Sequence, residues 1–290
     1  MNGILLVDKP QGWTSFDVAA KLKGLCHTRR IGHSGTLDPM ATGLLVMFIG
    51  RATRAVSYAE NHEKIYLASL RPGLVTDTQD ITGHVLKSCD APVSPEQLEE
   101  ALCAFRGEIW QIPPMYSAIQ VNGQRLYNIA RRGGEVERAP RSVTIHRLDC
   151  LGTDENGDYL LDVRCSKGTY IRTLCHDIGA ALGCGACLSA LRRVEAGAFH
   201  VDDAHTMDEL IATADAGRIE QLLLGVETMF PGLRHLHVDA EGERRLRCGN
   251  SISIDEPEGD CLAYSTQGEL LGLGHMEDGV LQLVKSFYEV

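Results

Sequence analysis

The chain has 290 residues, 44% of them hydrophobic and 23% charged, and carries a formal net charge of −11. These proportions suit a globular protein with one large domain, or a large one and a small one, and they exclude a disordered chain or a fibrous repeat. No apolar run approaches the roughly 20 residues of a membrane-spanning helix, and the N-terminus MNGILLVDKP meets an acid and a proline too soon for a signal peptide, so a cytoplasmic protein is expected.

In chain order, Ile4 to Val7 reads as a short strand, followed by a Pro-Gly loop holding Lys9. A helix follows, capped by Thr14 or Ser15 and turning Phe16, Val18, Ala19, Ala20 and Leu22 inward. The segment GHSGTLDPMATG, Gly32 to Gly43, is a permissive loop around one carboxylate, Asp38, and it leads into the continuous apolar strand Leu44 to Ile49. Lys64 to Leu70 alternates as a strand, and beyond the polar loop TDTQDITG lies another, His84 to Leu86. Ser94, Pro95 and Gln97 predict a capping box, since proline suits the first helical position. Gln124 to Arg132 predicts a basic helix ended by Gly133 and Gly134. Strands Val143 to Leu151 and Tyr159 to Cys165 are joined by DENGD, a hairpin signal. A GTY loop opens the helix Ile171 to Leu182, the strand LSALRRVEAGAF follows, and Thr206 to Glu209 is a further capping box. Past Pro231-Gly232 short alternating runs predict a small all-β module of about 55 residues.

Taken alone, the net charge argues against nucleic acid, because phosphate binding relies on Lys and Arg. Its distribution argues otherwise. Between Arg125 and Arg147 six arginines stand against two glutamates, whereas between Asp202 and Glu227 one arginine stands against seven acids. One basic face on an acidic protein, or simply a solvated surface, fits that asymmetry.

The ten cysteines are scattered and read as reduced, buried small side chains. Cys184 and Cys187 form a CxxC without a second pair. Two small residues in a packed turn is the preferred reading over a metal or redox site, which needs more ligands. No P-loop, GxGxxG, HExxH or GxSxG occurs, so nucleotide-driven, metal-hydrolytic and serine-hydrolase chemistry lose their usual signatures. Asp38 remains: a carboxylate on a backbone that glycine lets approach a bulky ligand, with His33 five residues earlier. A turn is the alternative, since Asp before Pro commonly starts one.

GHSGTLDPMATGLL, together with VDKPQGWTS, YLASLRPGLVTDTQDITG, IPPMYSAIQVNGQRLYNIARRG and CSKGTYIRTLCHDIGAALGCGA, resembles the TruB family of pseudouridine synthases. These blocks span nearly all of residues 3 to 195 in the family's order. The resemblance implies an α+β fold: a mixed, mainly antiparallel central sheet flanked by helices forms a catalytic domain at 1–232. A basic RNA-gripping thumb would be inserted at about 115–141, and 233–290 would be a small PUA-like RNA-binding domain. It implies isomerisation of uridine 55 in the T-loop of tRNA to pseudouridine by base flipping, glycosidic cleavage and rejoining through C5, with no cofactor or metal. By the same resemblance Asp38 is the catalytic nucleophile and Arg172 its supporting ion-pair partner. Tyr66 stacks on the base, Tyr170 and Leu191 complete the uracil pocket, and His33 contacts the RNA nearby. Lys9, Arg131 and Arg132 are expected to contact the RNA backbone. The expected partner is the T-stem-loop of tRNA, with no membrane and no obligate protein partner, the chain acting as a monomer. An RNA-binding or RNA-folding protein that grips the same loop is the competing expectation, and a relative acting on another RNA is a third.

Overall fold

In the computed structural model, which describes residues 1–290 apart from 91, 118, 122, 131 and 289–290, the apolar run Gly3–Lys9 forms a strand antiparallel to Thr42–Ile49. Both strands are buried on both faces, which explains why neither alternates in sequence. They lie within a ten-stranded sheet. Its order runs His205–Thr206, Gly3–Lys9, Thr42–Ile49, Ala186–Ala196, Lys64–Pro72, Tyr159–Cys165, Arg141–Thr153 and Gly107–Gln111. Ile31–Ser34 pairs with Thr42–Ile49, and Phe199–His200 with Ala186–Ala196. Two pairings are parallel, those of His205–Thr206 with Gly3–Lys9 and of Ala186–Ala196 with Thr42–Ile49; the others are antiparallel. The fold is α+β with a mixed, mainly antiparallel central sheet.

The period of two along a strand sorts the buried residues into two cores. Leu5, Val7, Leu45, Met47 and Ile49 face one side, while Ile4, Leu6, Leu44, Val46 and Phe48 face the other. The first side is covered by the helices Ser15–Leu25 and Ile171–Leu182 through Val18, Leu22, Leu174 and Ile178. Each such fully buried aliphatic side chain contributes about 1.5–3 kcal/mol. Helix Ser15–Leu25 starts at Thr14, whose hydroxyl accepts from Asp17 N while the Asp17 carboxylate accepts from Thr14 N. Ser94 and Gln97 make the same reciprocal cap.

The second side is covered by a five-stranded sheet built from the C-terminal residues. Its order is Arg234–His237, Gly259–Tyr264, Leu270–Glu277, Val280–Ser286 and Ile252–Ser253. Leu262, Tyr264, Leu273 and Phe287 of this sheet share one apolar cluster with Ile4, Phe48 and Ala52. Arg54 adds two hydrogen bonds to Ser286, at 2.9 Å to its carbonyl and 2.6 Å to its hydroxyl.

Several elements differ from the sequence expectation. On the first helix Phe16 and Ala20 face solvent rather than the core, because only Ser15, Val18, Ala19 and Leu22 lie on the face packed against the sheet. The basic stretch is helical only over Leu126–Ala130, because Gln120–Val121 and Gln124–Arg125 close a small hairpin just before it. The strand expected at His84 to Leu86 is Val85–Ser88, exposed throughout and paired with Leu74–Thr76. The C-terminal module, expected to be all-β, also contains a helix, Ala240–Arg247, capped by Asp239. Cys184 and Cys187 are buried as free thiols, Cys187 at the start of the Ala186–Ala196 strand.

Candidate active site

Asp38 stands on a loop fastened on both sides of it. The Ser15 hydroxyl accepts from Leu37 N at 2.9 Å and donates to Leu37 O at 3.3 Å. On the other side, Gly12 N donates to Pro39 O at 2.7 Å and Ala41 N to Asp38 O at 3.1 Å. Leu37, Met40 and Ala41 are buried in the core, so the turn has anchors as well as bonds. Gly43 ends the loop at φ +96, where a Cβ would fall 2.3 Å from Arg193 O; only glycine lets the two parallel strands approach so closely.

The loop holds the carboxylate against Arg172, the second residue of the Ile171–Leu182 helix and almost fully buried. Arg172 Nε lies 2.9 Å from Asp38 Oδ2, and its Nη1 lies 3.5 Å from Asp80 Oδ2. Nη1 also donates to Thr78 O at 3.0 Å and Nη2 to Tyr116 O at 2.7 Å. Asp80 is itself buried and fixed by the Thr78 hydroxyl and by Thr82 N. Its loop bends through Gln79 at φ +65, unusual for a residue with a side chain, and is stitched to the Ala186–Ala196 strand through Leu188 on both sides.

The Asp38 side chain keeps 39% of its surface exposed, opening into a cleft of about 650 Å³ whose walls nonetheless strip water from the carboxylate. That burial pushes its pKa above the ordinary aspartate value; Arg172 pulls it down and the second carboxylate, Asp80, pushes it up. The pair is a carboxylate partly withdrawn from water with a fixed cation behind it, an arrangement able to act on a centre that develops positive charge.

The other walls include most of the remaining candidates. Tyr66, from the Lys64–Pro72 strand, is 8% exposed, and burial raises its phenol pKa against the pull of Arg193. Tyr170 caps the Ile171–Leu182 helix: its N donates to Gln111 Oε1 at 3.0 Å, its O accepts from Gln111 Nε2 at 3.3 Å, and the Arg141 guanidinium sits 5.7 Å from its ring centre. Leu191 lines the cleft from the Ala186–Ala196 strand. His33 lines it from Ile31–Ser34, with Nδ1 buried and unbonded, and burial first, then Arg193, lowers its pKa. Asp38, Arg172, Tyr66, Tyr170, Leu191 and His33 therefore meet in one cavity.

Lys9 does not meet the expectation of an RNA-backbone contact. It ends the Gly3–Lys9 strand rather than lying in the loop, and it is completely buried. Its Nζ donates to Trp13 O at 2.6 Å and Pro10 O at 3.0 Å, so it ties the first loop together and is not among the residues that line the cleft. Arg132 is exposed just beyond the short helix, and Arg131 lies outside the described residues. Asp80, Lys64 and Arg193 line or support the cleft without having been singled out in sequence. For the last two a signal existed: Lys64 is two residues from Tyr66, and Arg193 two from Leu191, so strand alternation puts each on a cleft-facing side.

Comparison with known proteins identifies the family. Residues 23–171 match the TruB family pseudouridylate synthase N-terminal domain, and residues 172–231 match the tRNA pseudouridylate synthase B C-terminal domain. The chain is 44% identical over 282 residues to tRNA pseudouridine synthase B of Dechloromonas aromatica, covering 97% of this chain and 93% of that protein. It is 38% identical over 293 residues to the protein of the same name from Clostridium kluyveri, covering 99% and 100% respectively. Among solved structures, a chain of an H/ACA RNP bound to a substrate RNA containing 2'-deoxyuridine matches with a TM-score of 0.73 at 22% identity, covering 99% of this chain and 85% of that one. A Cbf5-Nop10-Gar1 complex gives the same TM-score at 24% identity, and both likenesses speak for the fold.

Proposed function

The chain belongs to the TruB family of pseudouridylate synthases, and we propose that it isomerises uridine 55 in the T-loop of tRNA to pseudouridine, with Asp38 as the nucleophile. The observation that carries this reading is the Asp38–Arg172 pair at 2.9 Å, set in a cleft walled by Tyr66, Tyr170 and Leu191. A uridine within a folded loop must be extruded before its glycosidic bond can be reached, and a cavity with aromatic and apolar walls can receive it. Cleavage leaves positive charge on the sugar, which the Asp38 carboxylate stabilises or traps. Arg172 keeps that carboxylate ionised and aimed, and Asp80 holds the guanidinium from behind.

In this assignment residues 1–232 are the catalytic domain, the segment at about 115–141 with Arg132 closes over the RNA stem-loop, and 233–290 is a small RNA-binding module. Arg131, within that segment, is assigned the same phosphate-binding part on sequence alone. We take the enzyme to act as a monomer without an obligate protein partner, in the cytoplasm, where it would meet a tRNA substrate. No described helix is long and apolar enough to cross a membrane.

The test is tritium release from a T-stem-loop RNA containing 5-tritiated uridine. Asp38→Asn is expected to bind that RNA within a few-fold of the parent while releasing no tritium above background. Turnover by the Asn variant at the parent's rate would remove Asp38 from the nucleophile's role. Tight binding without tritium release by the parent protein would instead favour an RNA-gripping function.

A further inference from the structure

Arg193 is completely buried, yet its guanidinium is satisfied on two nitrogens only. Nε donates to Leu44 O at 2.7 Å and Nη2 to Gly35 O at 2.9 Å, so the side chain staples both ends of the Asp38 loop. Nη1 has no hydrogen-bond partner of ordinary geometry, although the guanidinium also acts on the neighbouring Tyr66 hydroxyl, favouring its ionised form. A buried charged donor left in this state is destabilising, and one that borders the cleft is placed to gain an acceptor from a bound ligand.

The surroundings indicate the kind of acceptor. Beside Nη1 lies Gly35, at φ +75, where a Cβ would come 3.1 Å from Arg193 Nη1 and 3.5 Å from Lys64 Cε. Both side chains line the cleft, and any side chain at this position would crowd them. Lys64 is 7% exposed and donates to Glu60 O at 2.9 Å and His62 O at 2.7 Å, which leaves one of its three protons free of those bonds. The cleft as a whole is lined by five Lys and Arg side chains against two carboxylates, Asp38 and Glu60, on a chain whose net charge is −11. Lys64 and Arg193 contribute to that excess and neither is bonded to Asp38, Arg172 or Asp80. Across the strands Arg193 stands opposite Tyr66, with Lys64 two residues from that tyrosine.

We propose that Lys64 and Arg193 form an anion subsite over Gly35 that takes a non-bridging oxygen of a phosphodiester adjoining the extruded nucleotide. The inference rests on the function proposed above, because phosphodiester is the anion an RNA substrate brings. Its consequence is positional. A phosphate held over Gly35 and a base held against Tyr66 fix the intervening sugar at two points, and so set where its glycosidic carbon lies relative to Asp38.

The experiment measures binding of T-stem-loop RNAs carrying one neutral methylphosphonate on the 5′ or the 3′ side of the target uridine, to the parent protein and to Lys64→Met. One of the two neutralised RNAs is expected to bind the parent about 10-fold more weakly, the size of one charge-assisted contact. Lys64→Met is expected to lose a similar factor on native RNA, to lose less than about 2-fold more on that neutralised RNA, and to show a salt slope shallower by about 0.7–0.9. Losses that multiply in full, or two neutralised RNAs bound as tightly as the native one, would overturn the subsite. The second comparison uses the parent protein alone and so stands even if Lys64→Met fails to fold. If the parent neither binds nor isomerises the native stem-loop, the function reading fails and the subsite with it; intact turnover with indifference to both methylphosphonates defeats the subsite only.

Discussion

Arg172 reaches Asp38 through Nε at 2.9 Å and Asp80 through Nη1 at 3.5 Å, so one guanidinium serves two carboxylates from different loops. Its planar fork makes that possible, and a lysine ammonium could not keep both contacts while also donating to Thr78 O and Tyr116 O. Arg172→Lys is therefore expected to lower single-turnover rate by about 100-fold, the scale of an ångström-level misplacement of a reacting group. It should also move the acid limb of the pH–rate profile upward: burial already raises the Asp38 pKa and Arg172 opposes it, so weakening the opposition means the carboxylate is protonated at a higher pH. Rapid-quench pseudouridine formation across pH 4–8 reads both effects, and an unmoved acid limb would disconnect Arg172 from Asp38 ionisation.

Gly43→Ala places a Cβ 2.3 Å from Arg193 O and 2.9 Å from Arg193 N, both backbone atoms that cannot swing aside. A loss of about 3 kcal/mol or more is expected, since overpacking adds to a left-handed φ of +96. Gly12→Ala is the control: φ is +84 but nothing lies within 4 Å, so only the backbone cost of roughly 1–2 kcal/mol applies. Urea unfolding of the two variants separates the terms.

Burial lowers the Lys9 pKa from 10.5 to about 8, with Asp38 as the strongest opposing influence. Between those two values the unfolded chain holds a proton that the folded chain has released, so this lysine makes stability rise with pH from about 8 to 10.5 and leaves it flat below. Chemical denaturation at pH 7.5 and 10 is expected to show a smaller alkaline gain in Lys9→Met than in the parent. An equal gain in both would return Lys9 to a solvated role.

The thiols should divide sharply under alkylation. Cys103 and Cys248 are exposed, whereas burial pushes Cys175 far above the ordinary thiol range and Cys187 up to about 11. Iodoacetamide at pH 7.5 is expected to label Cys103 and Cys248 within minutes and to leave Cys175 and Cys187 unmodified until denaturant is added, as read by peptide mass spectrometry. Fast labelling of Cys187 would reopen a redox role for the CxxC.

Most of the sheet was legible because its strands announce themselves through apolar runs and turns, and Ile171 to Leu182 was bounded correctly since Gly183 supplies a left-handed stop. The site was legible to the extent that a resemblance carried it: Asp38 looked like a turn aspartate until other blocks placed Arg172 and Tyr66 beside it. What escaped notice has physical reasons. Asp80 sits in a run of Thr and Asp that reads as solvated loop, and only packing against Arg172 shows it to be buried. Lys9, fully buried and bonded to two carbonyls, looks in sequence like any exposed loop lysine. Helix Ala240–Arg247 lost its signal to its own charge, with Leu246 its one buried large apolar residue.

The apolar cluster joining Leu262, Tyr264, Leu273 and Phe287 to Ile4, Phe48 and Ala52 gives the molecule the mechanics of a calliper with a locked jaw. An RNA that touches both the cleft and the C-terminal sheet must span a distance the protein cannot adjust. Removing the second jaw would strip the reverse face of the very sheet from which Asp38 is hung.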